Sequence, residues 1–124
     1  MPVAYQLLWE QHGAVARFED VVTDSQINAI STTFYGHERF DSIHYFIVDF
    51  LGVTTFGVTA EMLERLGAMD RAAALSNPSV KVAIVTNDSN IVVRLAVYET
   101  ATRGSSWSLC YFRNEDDARS WATN

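Results

Sequence analysis

Ile43-His44-Tyr45-Phe46-Ile47-Val48-Asp49-Phe50-Leu51-Gly52-Val53-Thr54, running on to Thr59-Ala60-Glu61-Met62-Leu63, is the stretch that decides the fold. Ile43 to Phe50 is apolar on both faces and rich in aromatic and β-branched residues. That pattern suits a central strand with helices on either side. Asp49 stands at the end of the strand, and a mostly apolar loop, Phe50 to Thr59, is expected to follow. Thr59 then opens a helix, because its hydroxyl can accept from a free N–H of the first turn.

Upstream, Val3 to Gln11 and Ala14 to Val21 read as two strands joined at His12-Gly13, a hairpin signal. Thr23-Asp24-Ser25-Gln26 fits a capping box, and Ile27, Ile30 and Phe34 follow at helical spacing up to a stop at Gly36. Downstream, the helix from Thr59 to about Leu75 places Met62, Leu66, Met69 and Ala73 on one face, and Asn77-Pro78 ends it. Val80 to Val85 is the next buried strand. Asn87 is expected to cap a third helix through Ile91, Leu95 and Tyr98, closed by Gly104. Trp107 to Phe112 is the last strand, and Asn114 caps a terminal helix with Ala118, Trp121 and Ala122 inward.

Two paired strands followed by repeated helix and strand predict an α/β chain in one domain, residues 1–124. The expected sheet is open, five-stranded and mixed but mostly parallel, in the order β-β-α-β-α-β-α-β-α and flanked by four helices.

Composition narrows the function. With 48% hydrophobic residues the chain has ample material for a core. Nine Lys and Arg, scattered singly, against fifteen Asp and Glu give a net charge of −6, which argues against a nucleic-acid surface. The single cysteine, Cys110, lies inside Leu109-Cys110-Tyr111-Phe112 and reads as a small buried hydrophobe. No apolar run approaches the ~20 residues of a membrane span, and no charged leader precedes one, so no membrane insertion and a cytoplasmic location are expected.

At this point the chain resembles the STAS-like domains of sulfate transporters and anti-sigma-factor antagonists, and within them the SpoIIAA-like bacterial proteins. Ile47-Val48-Asp49-Phe50-Leu51-Gly52-Val53-Thr54 is similar to that family's pattern of apolar residues, Asp, apolar, two variable residues and Val-Thr. Phe112-Arg113-Asn114-Glu115-Asp116-Asp117-Ala118-Arg119-Ser120-Trp121 resembles its closing helix. In phosphorylated members an Asp-Ser-Ser-Gly follows, and its second serine accepts phosphate. Counted from Asp49, that stretch falls on Gly57-Val58-Thr59-Ala60, so Thr59 stands at the phosphoacceptor position while the aspartate, first serine and glycine are replaced. The favoured reading of Thr59 is a helix cap, since Glu61 already occupies the anion-favouring first turn.

Other chemistries find little support. The Phe50 to Gly57 segment has two isolated glycines and bulky neighbours, unlike a phosphate-binding loop. Helix starts already carry acids at Asp24, Glu61, Asp88 and Glu115-Asp116-Asp117, which leaves little room for an anionic ligand. Asp49 lacks the companion carboxylates of a magnesium-dependent phosphotransfer site, and is expected to accept from backbone N–H groups after its strand. His12, His37 and His44 lack zinc-site spacing, and no Gly-x-Ser-x-Gly elbow occurs. No cofactor, no metal and no catalytic group is expected.

A site is expected beyond the carboxyl ends of the strands, where Phe50 to Thr59, Thr86 to Asn90 and Arg113 to Asp116 converge. Its candidate loop residues are Asp49, Phe56, Val58, Thr59, Asn87 and Asp88. Phe56 and Val58 either pack inward, the favoured option, or form a partner surface. Val92 and Ala96 broaden the apolar stripe of the third helix towards a flanking layer or a subunit interface. The leading reading is a non-enzymatic interaction or regulatory module with an unidentified protein partner, acting as a homodimer. The alternative is a carrier or sensor of a small apolar or lipid-like ligand, which needs a pocket of ~300 Å³ or more.

Overall fold

The computed structural model describes residues 5–124 and carries every element of the expected order. The strands are β1 (Tyr5–Trp9), β2 (Gly13–Thr23), β3 (Tyr45–Gly57), β4 (Lys81–Val85) and β5 (Ser108–Phe112). The helices are α1 (Asp24–Gly36), α2 (Ala60–Ser76), α3 (Ser89–Arg94), α4 (Ala96–Ala101) and α5 (Glu115–Ala122). Residues 3 and 4, expected to start the first strand, lie outside the described residues. The expected third helix is delivered as two short ones meeting at Leu95, so α3 and α4 act as one broken layer.

The sheet runs in the simple order β1-β2-β3-β4-β5, with β1 antiparallel to β2 and every later pair parallel. When parallel strands are laid down in sequence, right-handed crossovers put every connecting helix on the same face. Ile27, Ile30 and Phe34 of α1, Met62 and Leu63 of α2, and Ile91, Leu95 and Tyr98 of α3–α4 therefore share one core with Ala16, Phe18, Phe50, Val82 and Ile84. Among the described residues only α5, which follows the last strand, is free to cover the other face. Its Ala118 and Ala122 pack on Val15, Tyr45, Ile47, Ala83 and Val85.

Local signals explain the element ends. Thr23 and Gln26 form the reciprocal capping box. Asn114 caps α5 through the N–H of Asp117. The third helical layer differs from expectation, because Asp88 and not Asn87 is its cap, accepting from the N–H of Asn90 at 2.9 Å. Either side chain suits the position; the Thr86 hydroxyl accepts from the Asp88 N–H at 3.1 Å, and the helix begins one residue later. On the inner side of α2, Gly67 lets α4 approach: a Cβ there would lie 2.4 Å from that of Ala101.

The largest departure concerns residues 50–57, expected as a loop and found as strand. The β3–β4 ladder ends at Asp49 and Val85, but the β2–β3 ladder continues to Thr23 and Gly57. The two strands leave the sheet as a parallel ribbon, with register shifts between Arg17 and Glu19 and between Asp20 and Val21. Asp20 absorbs the irregularity at a φ of 58°, a left-handed conformation that Asp tolerates better than most residues. Among the described residues the ribbon lacks a neighbour on one side beyond β4, and Arg94 partly replaces it. Its guanidinium donates to the carbonyls of Phe56 and Val58 and lies 5.1 Å from the centre of the Phe56 ring.

Candidate functional site

Thr59 begins α2 as its N-cap, accepting from the N–H of Met62 at 3.1 Å. The hydroxyl also donates, to Asp24 at 2.8 Å, and the second Asp24 oxygen accepts from the Thr59 N–H at 2.8 Å. The first residue of α1 thus clamps the start of α2. Local pattern ties Asp24 only to its own helix, because nothing in it announces a partner thirty-five residues away. Both the proton and an acceptor site of the hydroxyl are engaged. A phosphoryl group there would remove the donor and set two negative charges against Asp24, with Glu61 one turn into the helix.

The other candidate residues separate. Phe56 and Val58 are buried in the main core, at 8% and 0% exposure, and so form no exposed patch. Asp49 and Phe56 lie within β3 rather than in loops. Thr59, Asn87 and Asp88 remain at the exposed carboxyl end of the sheet. Asn87 and Asp88 border an open groove of about 630 Å³, together with Val92, Val93, Tyr111 and Phe112. Asp49 points to the opposite face, towards α5.

There Asp49 accepts from the N–H of Leu51 at 2.7 Å, the backbone role expected of it. Its surroundings add more. Arg17, its register partner on β2, forks onto Glu115 at 2.7 and 2.8 Å. Burial first, and then the adjacent Glu115 carboxyl, push the Asp49 carboxyl up to about 6. Glu115, held by Arg17 and by the proton on Asp49, is lowered to about 2. One proton therefore favours Asp49 within the pair. One turn on, Arg119 forks onto Glu10 at 2.5 and 3.1 Å, and Tyr45 donates to the same carboxylate. These charges bind α5 to the sheet and to the end of β1.

A second polar cluster lies within the main core. Asp70 of α2 is buried, accepting from the hydroxyls of Tyr35 on α1 and, at 2.5 Å, Tyr98 on α4. Desolvation pushes its carboxyl up to about 6, against the two hydroxyls, which lower it. Burial beside this carboxylate raises both phenols. The sequence carries a signal for this site: Leu63, Gly67, Asp70 and Ala74 are the buried side of α2, so an acid occupies an apolar stripe. Asp70 borders a cavity of about 60 Å³ between sheet and helices, lined chiefly by apolar side chains such as Phe18, Ile30, Phe50 and Leu95.

Among the described residues no group of three His, Cys, Asp or Glu is arranged to hold a metal ion. Among them, too, no helix is long and apolar enough to cross a membrane. No site of nucleophile, base and orienting group is assembled from the candidate residues. What the geometry offers is a set of rigid, capped element ends and two polar clusters that cross-link layers.

No family model and no curated protein matches the chain. Among solved structures, the chain is similar to an anti-sigma factor antagonist from Mycobacterium paratuberculosis, at 11% identity and a TM-score of 0.58 over 97% of this chain and 93% of that one. It is also similar to an uncharacterized protein with a SpoIIAA-like fold from Shewanella loihica, at 14% identity and a TM-score of 0.52 over 96% and 92% of the two chains. Both likenesses span the whole β-β-α-β-α-β-α-β-α order rather than one supersecondary unit. This chain has the SpoIIAA-like, or STAS-like, fold.

Proposed function

We propose that the chain is a non-enzymatic regulatory module that works through protein–protein contact, in the cytoplasm and as a homodimer. The observation that carries this reading is the likeness, over nearly the full length, to an anti-sigma factor antagonist. Its contact surface is the carboxyl end of the sheet, where Thr59, Asn87 and Asp88 are exposed and the β2–β3 ribbon presents Val21 and Leu51 at 46% and 44% exposure. A paired ribbon holds such side chains in fixed positions, so little entropy is lost on docking. Thr59 serves as a cap rather than as a phosphoacceptor, because Asp24 already consumes its proton.

The carrier reading ranks second. The internal cavity of about 60 Å³ is well below the ~300–1,000 Å³ typical of small-molecule sites. Native mass spectrometry of the purified protein, with and without denaturing extraction, separates the two. Protein-only masses are expected. A reproducible extra mass of a small apolar molecule, lost on extraction, would place the carrier reading first.

A further inference from the structure

The outer edge of β5 is unpaired among the described residues, since β5 bonds only to β4. Edge strands are usually protected by charge, proline or a bulge. Ser108-Leu109-Cys110-Tyr111-Phe112 has none of these, and its last four residues are only half-buried. The helical layer beside this edge is bare as well: Val93 is 70% exposed and Val92 37%. We propose that β5 pairs antiparallel with β5 of a second copy of this chain, with the two-fold axis at Cys110. The inference rests on the interaction-module reading and names one partner for it.

The free backbone groups select this register. The N–H of Ser108 donates to Val80 and the carbonyl of Phe112 accepts from Thr86, so residues 108, 110 and 112 turn their backbone groups towards β4. Leu109 and Tyr111 therefore turn theirs outward. Centred on Cys110, Leu109 of each copy faces Tyr111 of the other, and each such pair exchanges two N–H···O bonds. Every residue of the strand is then paired; shifting the axis to Leu109 or Tyr111 pairs only part of it. Charges also agree. No charged residue lies within the strand, and Arg113 falls opposite Trp107, a cation facing an aromatic residue. Beyond the strand ends, the loop of one copy that carries Arg103 comes towards the acidic Glu115-Asp116-Asp117 start of α5 in the other.

The helical layers fit the same arrangement. Each α3–α4 layer covers the β4–β5 edge of its own sheet, so the two layers stand about two strand spacings apart, roughly 10 Å. That is a helix-packing distance. Val92 and Val93, towards the carboxyl end of one layer, would then lie beside the α4 half of the other instead of water. A two-fold pairing of like edges closes on itself, whereas pairing β5 with the β1 edge of another copy would continue without end.

Cys110 makes the register directly measurable. In this pairing it sits opposite its own copy as a non-hydrogen-bonded pair, with Cα atoms about 4.5 Å apart. That lies within the disulfide range of about 4.4–6.8 Å. Analytical ultracentrifugation across the micromolar range, followed by copper-phenanthroline oxidation and non-reducing electrophoresis, tests the idea. Expected are a dimer, a covalent dimer on oxidation, and loss of the cross-link in Cys110→Ser. Leu109→Pro removes an outward N–H without touching a bond to β4, and Val93→Glu charges the bare helix face. Both are expected to sediment as monomers with unchanged circular dichroism, and Val93→Glu guards against a fold defect in the proline variant. A monomeric wild type, or a dimer that Cys110 does not cross-link, overturns the pairing. A monomeric wild type would also remove the homodimer from the module reading but leave its protein–protein contact, which fails separately if a bound small molecule is found.

Discussion

On one face of the sheet, α1, α2 and the broken α3–α4 layer bury Phe18, Ile27, Phe34, Phe50, Met62 and Ile91 in a single aromatic-rich core. On the other, the eight residues of α5 contribute Ala118 and Ala122, and ion pairs do much of the positioning. The crossover rule sends three connections to the first face and leaves the second to whatever follows β5. Apolar volume therefore closes the thick face, and charge orients the helix on the thin one. Core truncation should damage the first, while salt, pH and surface charge should act on the second. Asp70 is the exception, a carboxylate set within the apolar layer.

The sharpest test of this contrast is Phe34→Ala. Phe34 is 2% exposed, stacks on Phe46 at 4.0 Å and meets Phe40 edge-on at 5.1 Å. Its truncation is expected to cost about 3–5 kcal/mol in urea unfolding. A cost below ~1 kcal/mol would mean that the thick layer is not where stability resides.

Next comes pH. The Asp70 carboxyl, ordinarily near 3.8, sits at about 6 in the folded chain. A raised folded-state value means that the native state holds its proton longer than the unfolded chain does. Asp70 therefore contributes a loss of stability as pH rises from about 4 to about 6, on the order of 2–3 kcal/mol. Asp49 works in the same sense, whereas Glu115, lowered to about 2, contributes stability above its usual range that is lost as pH falls towards 2. Unfolding curves at pH 4, 5, 6 and 7 should show a shallower decline for Asp70→Asn than for wild type. Equal slopes would remove Asp70 from the account.

At the rim of the thick face, Thr59→Ala removes the α2 cap and the link to Asp24 together, at an expected ~1 kcal/mol; Thr59→Ser should retain most of it. If Ala and Ser behave alike, the hydroxyl does not cap. The smallest effect belongs to the thin face. Arg17→Ala should cost less than ~1 kcal/mol, because the Arg17 and Glu115 side chains are 41% and 21% exposed. Its clearer signature is in titration: the Glu115 carboxyl should rise from about 2 towards its ordinary range by NMR. No movement would mean that Arg17 is not what holds it down.

Much of this was legible in the sequence because it rests on local rules. Thr23 with Gln26, Thr59 and Asn114 mark helix starts through side chains that reach only a few residues, and each caps as read. Asp49 accepts from Leu51 two residues on, again a local bond. The ribbon escapes local rules for a reason of distance. Residues 51–57 look like a loop by their glycines and by the end of the buried run, and only pairing with β2, some thirty residues earlier, makes them strand. Asn87 reads as the cap on local grounds, and the structure gives that role to Asp88 one residue on.

What the sequence determined by itself was the element order, the fold that follows from it and the caps, since periodicity and capping depend on near neighbours. Tertiary structure decided which side chains meet across elements: Asp24 with Thr59, Asp70 with Tyr35 and Tyr98, Arg17 with Glu115, and Arg94 with the bare carbonyls of Phe56 and Val58. It also left the β5 edge open. Such pairings depend on how layers stack, and a chain read one neighbourhood at a time carries no distance between residues far apart along it.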